Sequence, residues 1–299
     1  MTWLAFFGRM KERSRVLSPD VFMSVAHDMQ IEGQDWSWAI PTKNAIVVLM
    51  LVALWAAESI VPMFAGRSRR VSHRAANVLL GMVNAIAGSL LFGTALLVAT
   101  QWSRENSIGL MQHLPQAWPL WMRFVIGLVL IDLWMYFWHR LNHNVPFLWR
   151  FHAVHHADRE LDATSAVRFH TGEIILSGAA RLILLPVLGV SLPMLLVYEI
   201  ILLPVILFHH SNVRIARAAD GILRPIIVTP WMHWVHHSML REETNSNYGS
   251  VLSVWDRLFG SFRLRDNPSE IQLGLTDDTS EKSWRTLGGM LTRPFKSKP

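Results

Sequence analysis

An all-α, integral membrane fold is predicted by three observations. Hydrophobic residues make up 51% of the 299-residue chain and charged residues only 17%, and the mean hydropathy is positive. Several apolar stretches are long enough to cross a hydrocarbon core of ~30 Å at about 1.5 Å per helical residue. Fourteen tryptophans supply the aromatic anchors that membrane interfaces favour.

Residues 1–43 read as a polar or interfacial N-terminal segment broken by Pro19 and Pro41. Its opening run, MTWLAFFGRMKERSR, places apolar residues before charges, the reverse of a secretory signal. Residues 44–118 are predicted to hold two transmembrane helices. The first covers 44–61 and is ended by Pro62; the second covers 78–100, twenty-three residues without a charge. A third span is expected over 120–138, with Arg123 and Asp132 inside it. Residues 174–208 are too long for one span and are interrupted by Pro186, Gly189, Ser191 and Pro193, so they read as a helical hairpin or a re-entrant pair. This pair belongs to a unit spanning 119–265, and residues 266–299 form a polar C-terminal tail.

Charge sets the expected orientation. The loop between the first two spans carries Arg67, Arg69, Arg70 and Arg74, whereas the next loop carries only Arg104. The bias of basic residues toward the cytoplasm puts the former loop inside. The third span then returns to the cytoplasm and delivers His139 beside Arg140, Arg150, Arg159 and Arg168. A bacterial inner membrane and an endoplasmic reticulum membrane fit the same pattern; the lack of a targeting motif favours the bacterial one. The net charge of +6 is scattered over membrane-flanking loops, which points to anionic lipid and away from nucleic acid. Without cysteine, disulfides, thiolate-bound iron-sulfur clusters and thiol catalysis are excluded.

Chemistry concentrates in the histidines. Eleven of fourteen lie between His139 and His237, and five fall within HRLNHNVPFLWRFHAVHH, residues 139–156. His27, His73 and His113 stand apart and read as structural or surface residues. His139 and His143 are spaced i, i+4 and share one helix face. His152, His155 and His156 form an H-x-x-H-H box whose three imidazoles are expected to converge on one point. The box recurs as His233, His236 and His237 in WMHWVHH. Stacking so many neutral imidazoles in a core would strand ring nitrogens, so the boxes read as metal ligands. Eight ligands exceed the needs of one ion and suit two adjacent metals. The absence of H-E-x-x-H counts against peptide hydrolysis. A nitrogen-rich, thiolate-free pair of metals at a membrane surface fits oxygen activation on a lipid.

The stretches DLWMYFWHRLNH, FLWRFHAVHH, AVRFHTGE, HHSN, TPWMHWVHH and TNSNYGSVLSVWDRLFG closely resemble the fatty acid hydroxylase and sterol desaturase superfamily, over residues 132–260. The order of the boxes, combined with NYG and WDRLFG, makes the likeness specific. It implies a helical membrane fold with a cytoplasmic, histidine-rich, metal-binding cap and two iron ions, with zinc as an alternative on imidazoles alone. Dioxygen would be the co-substrate, a separate reductase or electron-transfer protein the electron donor, and a C–H bond of a fatty acyl, sterol-like or ether lipid the target. By the same resemblance His139, His143, His152, His155, His156, His233, His236 and His237 are metal ligands. His170 is a further one, although Thr171 stands where the family usually has proline. The family has one histidine before Ser-Asn, which favours His210 over His209. Asp132, Glu173, His209, Asn212 and Glu243 are candidates for holding imidazole tautomers from outside. The tryptophans at 134, 138, 149, 231 and 234 read as interface anchors.

Hydroxylation is the leading expectation, with desaturation sharing its hydrogen abstraction. A non-enzymatic metal-binding scaffold or ion transporter is the other class. A transporter would place ionisable ligands near the midplane, whereas these boxes fall at the ends of spans.

Overall fold

The computed structural model describes residues 30–296 except 32–33, 37, 66–69, 116 and 277–279. The expected N-terminal segment through residue 29, including Pro19 and His27, lies outside the described residues, as do Arg67 and Arg69. A two-residue antiparallel pairing of β1 (Gln30–Ile31) with β2 (Gln34–Asp35) precedes an otherwise helical chain.

Among the described residues, five helices are long and apolar enough to cross a membrane. Helix α1 runs Ala39–Ile60 and starts before the predicted residue 44, because Pro41 sits in the first turn, where its missing N–H costs nothing. Helix α2, Arg70–Glu105, has 36 residues, more than roughly 20 needed to span, so it projects beyond the apolar layer. Helix α3, Leu120–Asn144, continues past the predicted end at 138 and carries His139 and His143 on its last two turns. The region after residue 170 is a hairpin of two full-length helices, α5 (Thr171–Leu188) and α6 (Leu192–His210). Gly189 adopts φ 70° at the turn, and Ser191 accepts the Met194 N–H to start α6. A β-carbon on Gly109 would lie 2.4 Å from the Gly189 nitrogen, so backbone meets backbone there and only glycine fits.

The spans alternate in direction. At one end, Glu58 at the close of α1 meets Arg74 at the start of α2 (2.6 Å) and the Asn212 N–H just after α6 (2.9 Å). At the other, the Ser103 hydroxyl donates to the Pro186 carbonyl (3.0 Å) and Gln112 to that of Gly189 (3.2 Å). Leu49, Leu90 and Ile183 face outward at 69%, 81% and 71% exposure, as lipid-facing residues do. Ile131, Leu195, Tyr198 and Leu202 pack α3 against α6. Three charges within the spans are paired: Glu199 of α6 takes Lys43 of α1 at 2.8 Å and Arg181 of α5 at 3.6 Å, which satisfies groups that would be costly alone in lipid.

At the Glu58 end, short helices form a cap: α4 (Pro146–His156), α7 (Arg217–Leu223), α8 (Pro230–His236), α9 (Arg241–Thr244) and α10 (Val254–Leu258), followed by α11 (Glu281–Arg285) and α12 (Leu287–Lys296). A buried ionic scaffold ties the cap to the spans. Asp158 accepts from Ser165 (2.6 Å) and pairs with His73 (2.9 Å), and Asp162 pairs with Arg74 (3.2 Å). Burial pulls the Asp158 carboxyl up, but the charges of His73 and Arg168 overcome it and hold it well below the usual carboxylate range.

Candidate metal centre

All the histidine boxes meet at this one end, where α3 and α6 leave the apolar layer and α4 and α8 begin the cap. Nine histidines form two groups: His139, His143, His152, His156 and His236 in one, and His155, His210, His233 and His237 in the other. Within each group the candidate ligand atoms lie within 4.8 Å of one another. The groups adjoin, with the rings of His156 and His237 stacked at 4.4 Å between centroids.

The expectation that each H-x-x-H-H box converges on one point is corrected. The i, i+4 pairs His152/His156 and His233/His237 stay together, but His155 and His236 cross to the opposite group. Neighbouring helical residues diverge by about 100°, so His155 cannot share the face of His156. Each box therefore supplies both groups and locks them side by side.

The chain also fixes which nitrogen faces inward. Nδ1–H donates to the Tyr248 carbonyl in His139 (2.9 Å), to that of Arg168 in His155 (3.2 Å), of Ile206 in His210 (2.7 Å) and of Ser246 in His236 (2.6 Å). His152 donates to Glu173 at 2.9 Å and His143 to the Asn245 side chain at 3.3 Å. Each of these rings must then present a bare lone pair at Nε2. In the first group the Nε2 atoms of His139, His143, His152 and His236 are buried without a partner, as are both nitrogens of His156. In the second, Nε2 of His210 lies 3.1 Å from that of His155 and 2.9 Å from that of His233. Since His155 and His210 both spend their proton on a carbonyl, their Nε2 atoms face each other lone pair to lone pair. An ion about 2.1 Å from each nitrogen spaces adjacent ligand atoms roughly 3.0 Å apart at right angles. The residues present therefore fit two cations, and each buried orphan would otherwise cost about 1–3 kcal/mol.

Burial first, and the mutual proximity of the rings second, hold His155, His156, His233 and His237 well below the ordinary imidazole range. Burial lowers His236 to about 3 although the Ser246 carbonyl opposes it. These five rings are therefore held neutral at physiological pH, the state that metal binding requires of an imidazole. An unfolded chain binds protons at these positions below roughly pH 6.5, while the folded protein resists until far lower. Their contribution to stability is present above that value and is lost as pH falls toward the folded values. The melting temperature of the metal-free protein in detergent is expected to drop between pH 7.5 and pH 5; a flat profile would contradict neutral burial.

The sequence NYG followed by WDRLFG acquires a reason here. Asp256 accepts the backbone N–H groups of Tyr248 (2.7 Å) and Gly249 (2.9 Å) and the Ser261 hydroxyl (2.8 Å). This shapes the turn whose Tyr248 carbonyl orients His139. Asn247 stands at φ 52° and bridges the Met232 and Arg263 carbonyls at 2.9 and 2.7 Å. A β-carbon on Gly249 would meet Asp256 Oδ2 at 2.8 Å. Gly249→Ala is expected to cost about 1–3 kcal/mol by overpacking and to speed metal release from the His139 group, measured by thermal melting and chelator capture.

Of the remaining expected residues, Glu173 accepts the Nδ1–H of His152 at 2.9 Å. His170 stands outside both groups: its Nδ1 accepts the Gly172 N–H at 2.9 Å, and its Nε2–H donates to the Leu291 carbonyl at 3.1 Å. No lone pair is left for a metal, so His170 caps α5 and anchors α12. Asp132 touches no imidazole; it accepts from Tyr198 (2.6 Å), Trp255 (2.8 Å) and the Val251 and Leu252 N–H groups, pinning the 251–255 loop to α3. Asn212 pairs with the Phe64 backbone and Glu243 with Arg265. His209 is buried beside His233, with ring centroids 4.0 Å apart. Trp234 is not an interface anchor but a fully buried core residue bonded to the Ser211 carbonyl. Trp149 covers His143 and His156 at 5.0 and 5.3 Å, and Phe169 stacks on His155 at 4.5 Å. The backbone carbonyls that orient four imidazoles were invisible in the sequence; NYG was the one local signal.

Fold and site together define a helical membrane protein with a paired polyhistidine centre. The fatty acid hydroxylase family model matches residues 124–261, so this stretch of the chain is a fatty acid hydroxylase domain. It is 33% identical to an ornithine lipid hydroxylase of Rhizobium tropici over 207 residues, 69% of this chain and 60% of that protein. Human alkylglycerol monooxygenase is 30% identical over 49% of this chain and 31% of its own length. Human cholesterol 25-hydroxylase is 24% identical over 56% of this chain and 61% of its own length. The chain thus spans less than two thirds of each of these relatives. No solved structure matches.

Proposed function

We propose that the chain is a membrane-bound, di-iron, dioxygen-dependent oxidoreductase that hydroxylates a C–H bond of a lipid. One observation carries this reading: two adjoining groups of buried, inward-facing imidazole nitrogens sit where membrane-spanning helices end. The names of the relatives support it, since each is a hydroxylase or monooxygenase whose named substrate is a lipid. Iron bound in both groups would supply the reduction of dioxygen and the hydrogen abstraction, with electrons from a separate protein.

The chain's own residues do the rest. Nine histidines, each facing its group, provide the ligands. Glu173, Asn245 and the carbonyls of Tyr248, Arg168, Ile206 and Ser246 hold six of the rings in the tautomer a metal requires. Trp149, Phe169 and Tyr248 wall the rings and exclude bulk water. The lipid-facing helices bring an alkyl chain or sterol-like ring to the cap from within the bilayer. Arg74, Arg140, Arg150 and Arg159 at the cap end support a cytoplasmic position for the centre, by the positive-inside bias, and a bacterial inner membrane is the proposed location.

Lipids from cells expressing the wild type, grown under heavy-isotope dioxygen and compared with cells expressing His233→Ala, test this reading. A lipid that gains one labelled oxygen only with the wild type is expected. Loss of two hydrogens instead would make the chain a desaturase, and no change in any lipid would sink the enzyme reading in favour of a metal-binding scaffold.

A further inference from the structure

Helices α7 and α10 are joined into one surface by the segments 222–228 and 251–258. The Ser253 N–H donates to the Ile226 carbonyl at 3.1 Å, and the Val228 N–H to that of Val251 at 3.0 Å. The Ser253 hydroxyl and the Arg257 guanidinium both donate to the Arg224 carbonyl, at 2.6 and 3.0 Å. Outward, this surface presents Ile222, Ile226 and Leu258 at 75%, 64% and 66% exposure, with Val254 also exposed. These side chains are as open as Leu49, Leu90 and Ile183 on the lipid-facing sides of the spans. A contiguous aliphatic face of this kind marks a contact surface.

Asp132 fixes the depth of that surface. Its carboxylate accepts the Val251 and Leu252 N–H groups at 3.2 and 3.1 Å and the Trp255 indole at 2.8 Å. Asp132 lies six residues before Trp138, where the apolar run of α3 ends, about 9 Å along the axis at 1.5 Å per residue. Val251 belongs to the same buried cluster as Ile131, Tyr198 and Leu202 of the spans. The α7–α10 surface therefore reaches below the end of the apolar layer and is continuous with the spans. Its charge is equally one-sided. Residues 213–228 and 251–258 hold Arg214, Arg217, Arg224 and Arg257 against Asp220 and Asp256, and both aspartates are fully buried. Arg217 meets the exposed Asp266 at 3.8 Å, a contact that salt screens. An apolar face with a basic rim suits an anionic leaflet.

We propose that the α7–α10 surface is a wedge seated in the anionic leaflet on the side of the metal centre. Ile222, Ile226, Val254 and Leu258 lie among the acyl chains, and Arg214 and Arg217 reach the headgroup phosphates. This rests on the reading of the long apolar helices as membrane spans. The wedge runs through Val228 directly into α8, so it ties the height of His233, His236 and His237 to the bilayer.

The chain has no cysteine, so a single introduced thiol carries a fluorophore at one known place. Ile222→Cys, Ile226→Cys and Leu258→Cys are each labelled with bimane, and the full-length proteins are reconstituted in vesicles of phosphatidylcholine and phosphatidylglycerol. Quenching by acyl-brominated lipid is compared with quenching by aqueous iodide. Ile183→Cys, on the outward face of α5, is the lipid reference; Glu242→Cys, at a side chain 89% exposed, is the water reference. All three labels are expected to be quenched by brominated lipid as at Ile183 and shielded from iodide. Quenching should be stronger when the bromine is carried by phosphatidylglycerol than by phosphatidylcholine, and Arg214→Gln together with Arg217→Gln should abolish that preference. Iodide quenching as at Glu242 would overturn the wedge, and so would shielding from both quenchers, which would put a second copy of the chain on this face. Equal quenching by the two brominated lipids would overturn its anionic seating. An Ile183 label untouched by brominated lipid would instead remove the membrane reading beneath it.

Discussion

His156→Ala is expected to empty the five-membered group while leaving the metal-free fold intact. Both nitrogens of His156 are buried and unpartnered, and its ring stands between the groups, stacked on His237 and 4.6 Å from His236. Loss of a direct ligand should lower lipid turnover by more than about 100-fold, the upper cost of losing a mere outer partner. Stability moves differently. Removing two orphaned nitrogens relieves about 1–3 kcal/mol apiece, which offsets the cavity left by the ring. The metal-free variant should therefore melt no lower than metal-free wild type, while the iron-loaded wild type gains a stabilisation by ligand binding that the variant lacks. A histidine serving only the core would do the reverse: the metal-free variant would melt markedly lower and metal content would not change.

Arg168→Met is expected to give the largest loss of stability of any single replacement in the cap, about 3–5 kcal/mol. The guanidinium is fully buried. It donates to the Val154 carbonyl at 3.0 Å, to Asn77 at 3.0 Å and to the Trp284 carbonyl at 2.5 Å. It thus joins α4, α2 and α11, while its own carbonyl orients His155. Methionine fills the volume but strands these acceptors and leaves Asp158 with less positive charge nearby. Arg168→Lys should recover only part of the loss, because one ammonium cannot span acceptors that a planar fork reaches. Melting curves in detergent decide this, and a lysine variant equal to wild type would show that charge alone matters.

The spans and boxes were legible because they rest on short-range periodicity. Twenty-three uncharged residues before Gln101 can only cross or aggregate, and His139/His143 share a face through helix geometry alone. The assignment of ligands to groups was not legible, since it depends on how α4 and α8 face each other. That is why the H-x-x-H-H boxes, read as single sites, turn out to be divided. Asp132, Asn212 and Glu243 were chosen as polar residues near the boxes, yet polarity in an apolar chain is also what pins loops, and all three do that. The partners that do orient the rings are mostly main-chain carbonyls, which carry no residue identity. His170 shows the same limit: its motif suggested a ligand, and its place at the start of α5 gave both nitrogens other work.

The most direct measurement of the central claim is iron per chain in protein purified anaerobically in mild detergent, for the wild type, His156→Ala and His233→Ala. One variant falls in each group of rings. Two irons in the wild type and a loss from the altered group in each variant is the predicted result. Iron content below one per chain in the wild type even after ferrous iron is added, or unchanged in both variants, would contradict a pair of metal sites built by these histidines.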